Sequence, residues 1–278
     1  MINIGVASIV IIIINFIVSI KGFKNYNFFE GYKFHVDKIL IQKDYIRLIS
    51  SGFLHADWRH LAFNMISLYI FSNLLEHKIG SILFILIYIS SLIGGNLFAL
   101  YVHRSHGDYS AIGASGAVSG IIFACIALYP GLDIGLLLLP IFIPSWIYGV
   151  LFVLISIYGI KTKRDNIGHE AHLGGAIIGL LVAIIIQPNA ITKNYITILL
   201  ILIPTLAFIY LIISKPHFLL TDKINFKKES APLSFEQKYN SEKVDKQKEL
   251  DKLLDKISKK GIDKLSKKEK ERLKNLSK

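Results

Sequence analysis

The chain has 278 residues, 53% of them hydrophobic, with a mean hydropathy of +0.50 and a formal net charge of +12. An ordinary water-soluble domain is excluded, because too little polar surface remains to cover so apolar a chain. Residues 214–278 hold 19 basic and 11 acidic side chains, a net of +8, so most of the charge belongs to this tail. The single cysteine, Cys125, lies in an apolar run, where it reads as small apolar packing and leaves the redox compartment undefined.

Seven stretches are long and apolar enough to cross a hydrocarbon core of about 30 Å, which takes about 20 helical residues. They cover roughly 2–20, 60–76, 81–102, 114–129, 141–160, 169–187 and 195–213. The first lacks the basic start and small-residue cleavage site of a signal peptide, so it reads as a retained helix. Residues 21–59 form a long amphipathic connection. Its stretch from Phe34 to Lys43 mixes charge with bulky apolar side chains and is expected at the membrane interface. The five middle spans carry Gly, Ser, Asn and His, which suit helices packed closely on one another. The first and seventh are uniformly apolar, as for helices facing lipid.

The predicted fold is therefore all-α, a polytopic membrane helical bundle over 1–213, followed by a basic, partly helical soluble tail over 214–278. In the tail Leu250, Leu253, Leu254 and Ile257 fall at helical spacing, and a short amphipathic hairpin broken at Gly261 is expected. The tail reads as a solvated charged segment, with anionic headgroup binding as the alternative.

Parity brings distant residues together. His60 and Asn64 begin the second span, Ser115 the fourth and His172 the sixth. Alternate spans run in the same direction, so these beginnings lie near one leaflet. His60 and Asn64, four residues apart, share a helix face. Gly113 and Gly116 flank Ser115 and leave backbone N–H groups accessible at a helix start, where anions are favoured. Gly116 with Gly120, and Gly175 with Gly179, make two Gly-x-x-x-Gly steps that can pack backbone to backbone and join the Ser115 and His172 helices.

These residue types suit acyl transfer. A serine hydroxyl is a weak nucleophile and needs an adjacent base, and neutral His172 can take its proton and return it to a leaving amine. The Ser115 N–H, the Asn64 amide and the His60 ring can donate to the oxyanion, each donor being worth about 3–4 kcal/mol of barrier. No acid is well placed as a third member, which leaves a Ser–His dyad. Taken singly, Ser115 and Ser119 read more readily as helix packing, Asn64 as an interhelical hydrogen-bonding group, and His55 and His169 as braces. His35, His77, His103, His106 and His217 fall near span ends or in connections and read as solvated or interfacial. A metal site or transporter built on His55, His60, His169 and His172 is a second reading, although no Cys or acidic cluster completes a zinc set.

Three motifs carry a family resemblance. His55-Ala56-Asp57-Trp58-Arg59-His60-Leu61-Ala62-Phe63-Asn64, Gly113-Ala114-Ser115-Gly116, and Ala171-His172-Leu173-Gly174-Gly175 with Gly179 resemble, in order and span context, the rhomboid family of intramembrane serine proteases. The resemblance covers about residues 1–187. It implies a six-helix core plus one additional C-terminal transmembrane helix, with Ser115 as nucleophile, His172 as base, and His60 and Asn64 at oxyanion-stabilising positions. It makes Glu76 a structural acid and Arg47 the arginine of a loop-anchoring Trp-Arg pair, in which Ile46 stands where the family has tryptophan. Where some members place an aromatic against the catalytic imidazole this chain has Ser119, so that support must come from elsewhere. The implied partners are transmembrane protein substrates and the lipid bilayer. Neither a cofactor nor a metal nor a nucleic-acid partner is implied. Residues 254–261 of the tail resemble a segment of some bacterial members, which points to a bacterial cytoplasmic membrane. An inactive membrane-protein binder of the same family is the rival reading.

Family members usually keep the reacting groups near the outer leaflet. Here Lys21, Lys24, Arg104, Lys161, Lys163 and Arg164 lie on the reacting side, against Lys78 and Lys193 on the other. The positive-inside rule would place that side in the cytoplasm, opposite to the family's usual arrangement.

Overall fold

Apolar runs interrupted by Gly, Asn and Pro set where the helices begin and end. A computed structural model describes residues 5–129, 131–135, 142–162, 167–214 and Ser266. The chain divides into two compact units, Met1–Asp222 and Lys223–Lys278, and every element below belongs to the first.

Helix α1 (Val6–Lys24) opens the fold. The amphipathic connection follows as α2 (Tyr26–Tyr32), strand β1 (Phe34–His35), α3 (Val36–Leu40), α4 (Arg47–Ser50) and a 3₁₀ turn at Ser51–Phe53. Its buried Phe34, Val36 and Ile39 gather with Ala99 into a small apolar cluster, while Leu40, Ile41, Tyr45 and Ile46 stay exposed. Helix α5 (Trp58–Ile79) is capped by Asp57, whose carboxylate accepts the His60 N–H. Helix α6 (Ser81–Val102), strand β2 (Ser110–Ala111) and helix α7 (Ser115–Leu128) come next. The hairpin β3 (Asp133–Gly135) and β4 (Phe142–Pro144) then leads into α8 (Ser145–Thr162), α9 (His169–Ile186) and α10 (Asn189–Ser214). Strand β1 pairs antiparallel with β2, Phe34 opposite Ala111, so the connection grips the loop between α6 and α7.

Among the described residues, six long helices and the shorter α7 stand at the seven expected spans, with differences at their ends. The fifth begins at Ser145 rather than 141, because Phe142–Pro144 pair with the preceding strand. The seventh begins at Asn189 rather than 195. One turn precedes a break at Asn194 (φ −135, ψ 28), and the apolar helix continues beyond it. Of the seven, α1, α6, α8, α9 and α10 are long and apolar enough to cross a membrane. Helix α5 is more polar, carrying His60, Asn64, Ser72 and Glu76 on its buried side.

Helix α7 has only 14 residues, about 21 Å at 1.5 Å per residue. A lipid-exposed helix of that length would fall short of the hydrocarbon core. Its residues from Gly116 to Ala127 are all buried, so it meets protein rather than lipid all round. The outside of the bundle is the apolar side. Val10, Ile17, Phe63, Ile70, Ile85, Leu154 and Ile203 are among the many large hydrophobic side chains left exposed, while Asn15, Ser19, Asn64 and Ser91 point inward. This inversion of the soluble pattern is what a lipid solvent selects.

Candidate active site

Helix α9 lies against α7 along the two glycine steps. A methyl at Gly175 would collide with the Gly116 carbonyl, and one at Gly179 with the Gly120 backbone. Gly95 of α6 meets the Ala171 carbonyl in the same way. Glycine is needed here for backbone proximity, and small-residue seams of this kind let membrane helices approach. The closeness brings the first turns of α7 and α9 together.

At those first turns His172 Nε2 lies 2.6 Å from Ser115 Oγ. In the neutral ring with its proton on Nδ1, Nε2 accepts the serine O–H. Both side chains are half-buried. The ring of Phe152, from α8, lies 6.5 Å from the His172 ring at 34°, and packs in turn on Phe123 and Tyr148. This supplies the aromatic support that Ser119, itself buried, cannot provide.

His60 faces the same point. The Ala56 N–H points at its Nδ1 at 3.5 Å, which leaves the ring proton on Nε2. A methyl on Gly113 would lie 2.9 Å from that Nε2 and 3.6 Å from Ser115 Oγ. Gly113 thus keeps open the space between the hydroxyl and the imidazole donor. Its φ of +122° is a conformation that L side chains rarely adopt. Asn64, one turn further along α5, is buried on the same face. One of its amide N–H groups donates to the His60 carbonyl at 3.0 Å, and among the described residues the other has no acceptor. Ser115 is the first residue of α7, where backbone N–H groups have no intrahelical acceptor and carry the positive end of the dipole.

The loop before Ser115 is held from several sides. The Gly113 N–H donates to the Ser51 carbonyl at 3.0 Å, and Val36 and Asp37 donate to Tyr109 and Gly107 at 3.1 and 3.0 Å. His55 is fully buried beneath it. Ser19 donates to the Phe53 carbonyl at 3.0 Å, so its oxygen receives His55 Nδ1–H at 2.9 Å. His55 Nε2 then accepts the Ala114 N–H at 3.5 Å. Burial, with His60 beside it, pushes His55 down to about 3, so it is a neutral brace. His169 braces too, packed against Gly159 of α8.

Two other expected residues lie away from the reacting groups. Arg47 is buried and donates to the Glu30 and Lys33 carbonyls at 2.9 and 2.8 Å and to Asp44 at 2.7 Å, closing the connection on itself. Ile46, in the tryptophan position, is exposed. Glu76 sits near the far end of α5, about 24 Å along the helix from His60. It accepts the Ala7 and Ser8 N–H groups at 2.9 Å each, and the Ser8 and Ser81 hydroxyls, tying α1 to the α5–α6 turn.

Sequence reasoning missed one group. His103, expected to be solvated or interfacial, is buried, and its Nε2 donates to Glu170 Oε1 at 3.0 Å. The Tyr109 ring stacks on it at 3.5 Å and 7°. Burial and the nearby Glu170 carboxylate raise the Tyr109 hydroxyl well above its ordinary range, so it stays neutral. The available signal was an acid inside a span, two residues before His172, since an intramembrane charge seeks a buried partner.

The family model described as Rhomboid domain matches residues 42–189, and a second, described as Family of unknown function (DUF6576), matches 233–278. The chain is 32% identical over 150 residues to Rhomboid protein 1, mitochondrial, of Saccharomyces cerevisiae, covering 51% of this chain and 43% of that protein. It is 34% identical over 139 residues to the Putative rhomboid protease YdcA of Bacillus subtilis, covering 49% and 65%. To the Rhomboid protease GluP of the same organism it is 28% identical over 177 residues, covering 63% and 33%. The chain thus spans less than two thirds of the length of each of these relatives.

Proposed function

Because the chain belongs to the rhomboid family, a multi-pass membrane family, we propose that it is an intramembrane serine endopeptidase cleaving peptide bonds in or near transmembrane segments of membrane proteins. Ser115 is the nucleophile and His172 the general base. The observation that carries this reading is the 2.6 Å approach of His172 Nε2 to Ser115 Oγ, within the range in which a base takes a proton.

In the first step Ser115 Oγ attacks the scissile carbonyl while its proton passes to His172 Nε2. The carbonyl oxygen becomes an oxyanion, facing His60 Nε2–H, the free Asn64 N–H and the Ser115 backbone N–H. His172 then protonates the departing amine, the C–N bond breaks, and an acyl-serine remains. Water, deprotonated by His172, reverses the sequence and releases the acid. A helical substrate must unwind locally first, because its hydrogen-bonded backbone shields the carbonyl. The membrane in this reading is a bacterial cytoplasmic membrane, on the strength of the tail's resemblance, and the tail expected over 214–278 falls almost wholly outside the described residues.

The test is labelling of the detergent-solubilised protein with a fluorophosphonate, then cleavage of a model transmembrane substrate. Wild type is expected to label and cleave, Ser115→Ala to do neither, and His172→Ala to lose about a hundredfold or more. Labelling that survives in Ser115→Ala rejects the nucleophile. Labelling of wild type without any cleavage favours a binder.

A further inference from the structure

Glu170 and His103 take no part in the steps above, yet both are buried and bonded to each other, and Glu170 stands two residues before the base in α9. Two positions along an α-helix rotate a side chain by about 200°. Glu170 and His172 therefore leave the first turn of α9 on nearly opposite sides. His172 turns toward α7 and Ser115, and Glu170 toward the C-terminal end of α6, which His103 caps through its N–H to the Ala99 carbonyl at 2.9 Å. Tyr109, stacked on His103, belongs to the loop that continues through Gly113 into Ser115, and its own carbonyl is held by Val36.

The first turn of α9 needs such a hold. Its N-cap is Gly168, which has no side chain to close the turn, and the first N–H groups of any helix lack intrahelical acceptors. The glycine seam reaches this turn only through the backbone of Ala171, whose carbonyl packs on Gly116 and Gly95, and its remaining contacts lie further along α9, at Gly175 and Gly179. Resting on the protease reading, we propose that Glu170, bonded to His103 under the Tyr109 ring, is a positioning residue that sets the rotation of this turn and so holds His172 Nε2 on Ser115 Oγ. The same three side chains link the base's helix, α6 and the nucleophile's loop. Neither Glu170 nor His103 touches the reacting atoms.

The experiment is steady-state cleavage of the model transmembrane substrate by the full chain in detergent, each rate normalised to folded protein by thermal unfolding. Displacement of a base by about 1 Å can cost up to a hundredfold. Glu170→Ala is expected to lower kcat about tenfold or more with KM within about twofold, the pattern of lost transition-state positioning. Glu170→Gln, whose carbonyl can still accept from His103, is expected to stay within about threefold of wild type. If Glu170→Ala does not fold, Tyr109→Leu, in a half-buried loop position, takes its place, with kcat expected to fall several-fold. The proposal is overturned if folded Glu170→Ala, or its substitute, keeps kcat within twofold of wild type, or if Glu170→Gln falls as far as Glu170→Ala. A wild type that neither labels nor cleaves defeats the protease reading itself, and that outcome is read before any variant is compared.

Discussion

His55 shows how one buried side chain couples stability to pH. Its folded-state value is depressed to about 3 from an ordinary 6.5. The unfolded chain therefore binds the extra proton first as pH falls. The stabilisation by neutral His55 is complete above about pH 6.5 and is lost progressively as pH drops from there toward 3. By pH 5.5 the loss amounts to about 1.4 kcal/mol. The stability gap between wild type and His55→Gln in detergent should thus narrow by about that amount between pH 7.5 and 5.5, measured by thermal unfolding. A gap that stays constant means His55 is not held neutral. At the same scale, Gly113 illustrates why a single position matters twice. Its backbone angle and its missing side chain are both needed to keep Ser115 and His60 facing each other.

The α7–α9 pair is the element on which the site depends. Its glycines bring backbone against backbone, and overpacking a close seam costs about 1–3 kcal/mol or more. Gly179→Ala places a methyl against the Gly120 backbone, two turns below His172. We expect both a lower unfolding temperature and a slower fluorophosphonate reaction, because α9 cannot retreat without carrying the imidazole with it. Ala127→Gly, also in buried α7 but distant from this seam, serves as the comparison for destabilisation alone. If Gly179→Ala loses stability while the folded fraction labels at the wild-type rate, the seam does not position the base. The connection between α1 and α5 acts as a clamp on the other partner, since β1 pairs with β2 just ahead of Ser115.

Across the first unit as a whole, the short central α7 is enclosed by protein, and α10 closes its far end. Asn194, at the break in α10, donates to the Ile126 carbonyl at 2.6 Å and approaches that of Ala127 at 3.4 Å. These are among the last carbonyls of α7, which a helix leaves without internal partners. Asn194→Ala should cost about 1–3 kcal/mol by leaving buried acceptors unpaired. The labelling rate of the folded protein should stay within about twofold, because the reacting groups lie at the other end of α7, about 17 Å away. A large fall in rate with unchanged stability would show that α10 acts on the site rather than on the scaffold.

Much of this molecule was already decided along the chain. Runs such as 81–102 and 169–187 can satisfy their backbone in lipid only as helices, so the order of the helices followed from hydropathy and length. That order in turn put His60, Asn64, Ser115 and His172 at one level. Other features lie in no local pattern. Nothing around His103 distinguishes a solvated imidazole from one bonded to Glu170, 67 residues away, and Phe152 becomes a neighbour of His172 only once α8 is docked. The break at Asn194 is likewise invisible until α7 presents its carbonyls. Periodicity and hydropathy record how each segment meets its solvent. Which buried groups meet one another is set by how the helices pack, and only the assembled bundle supplies that.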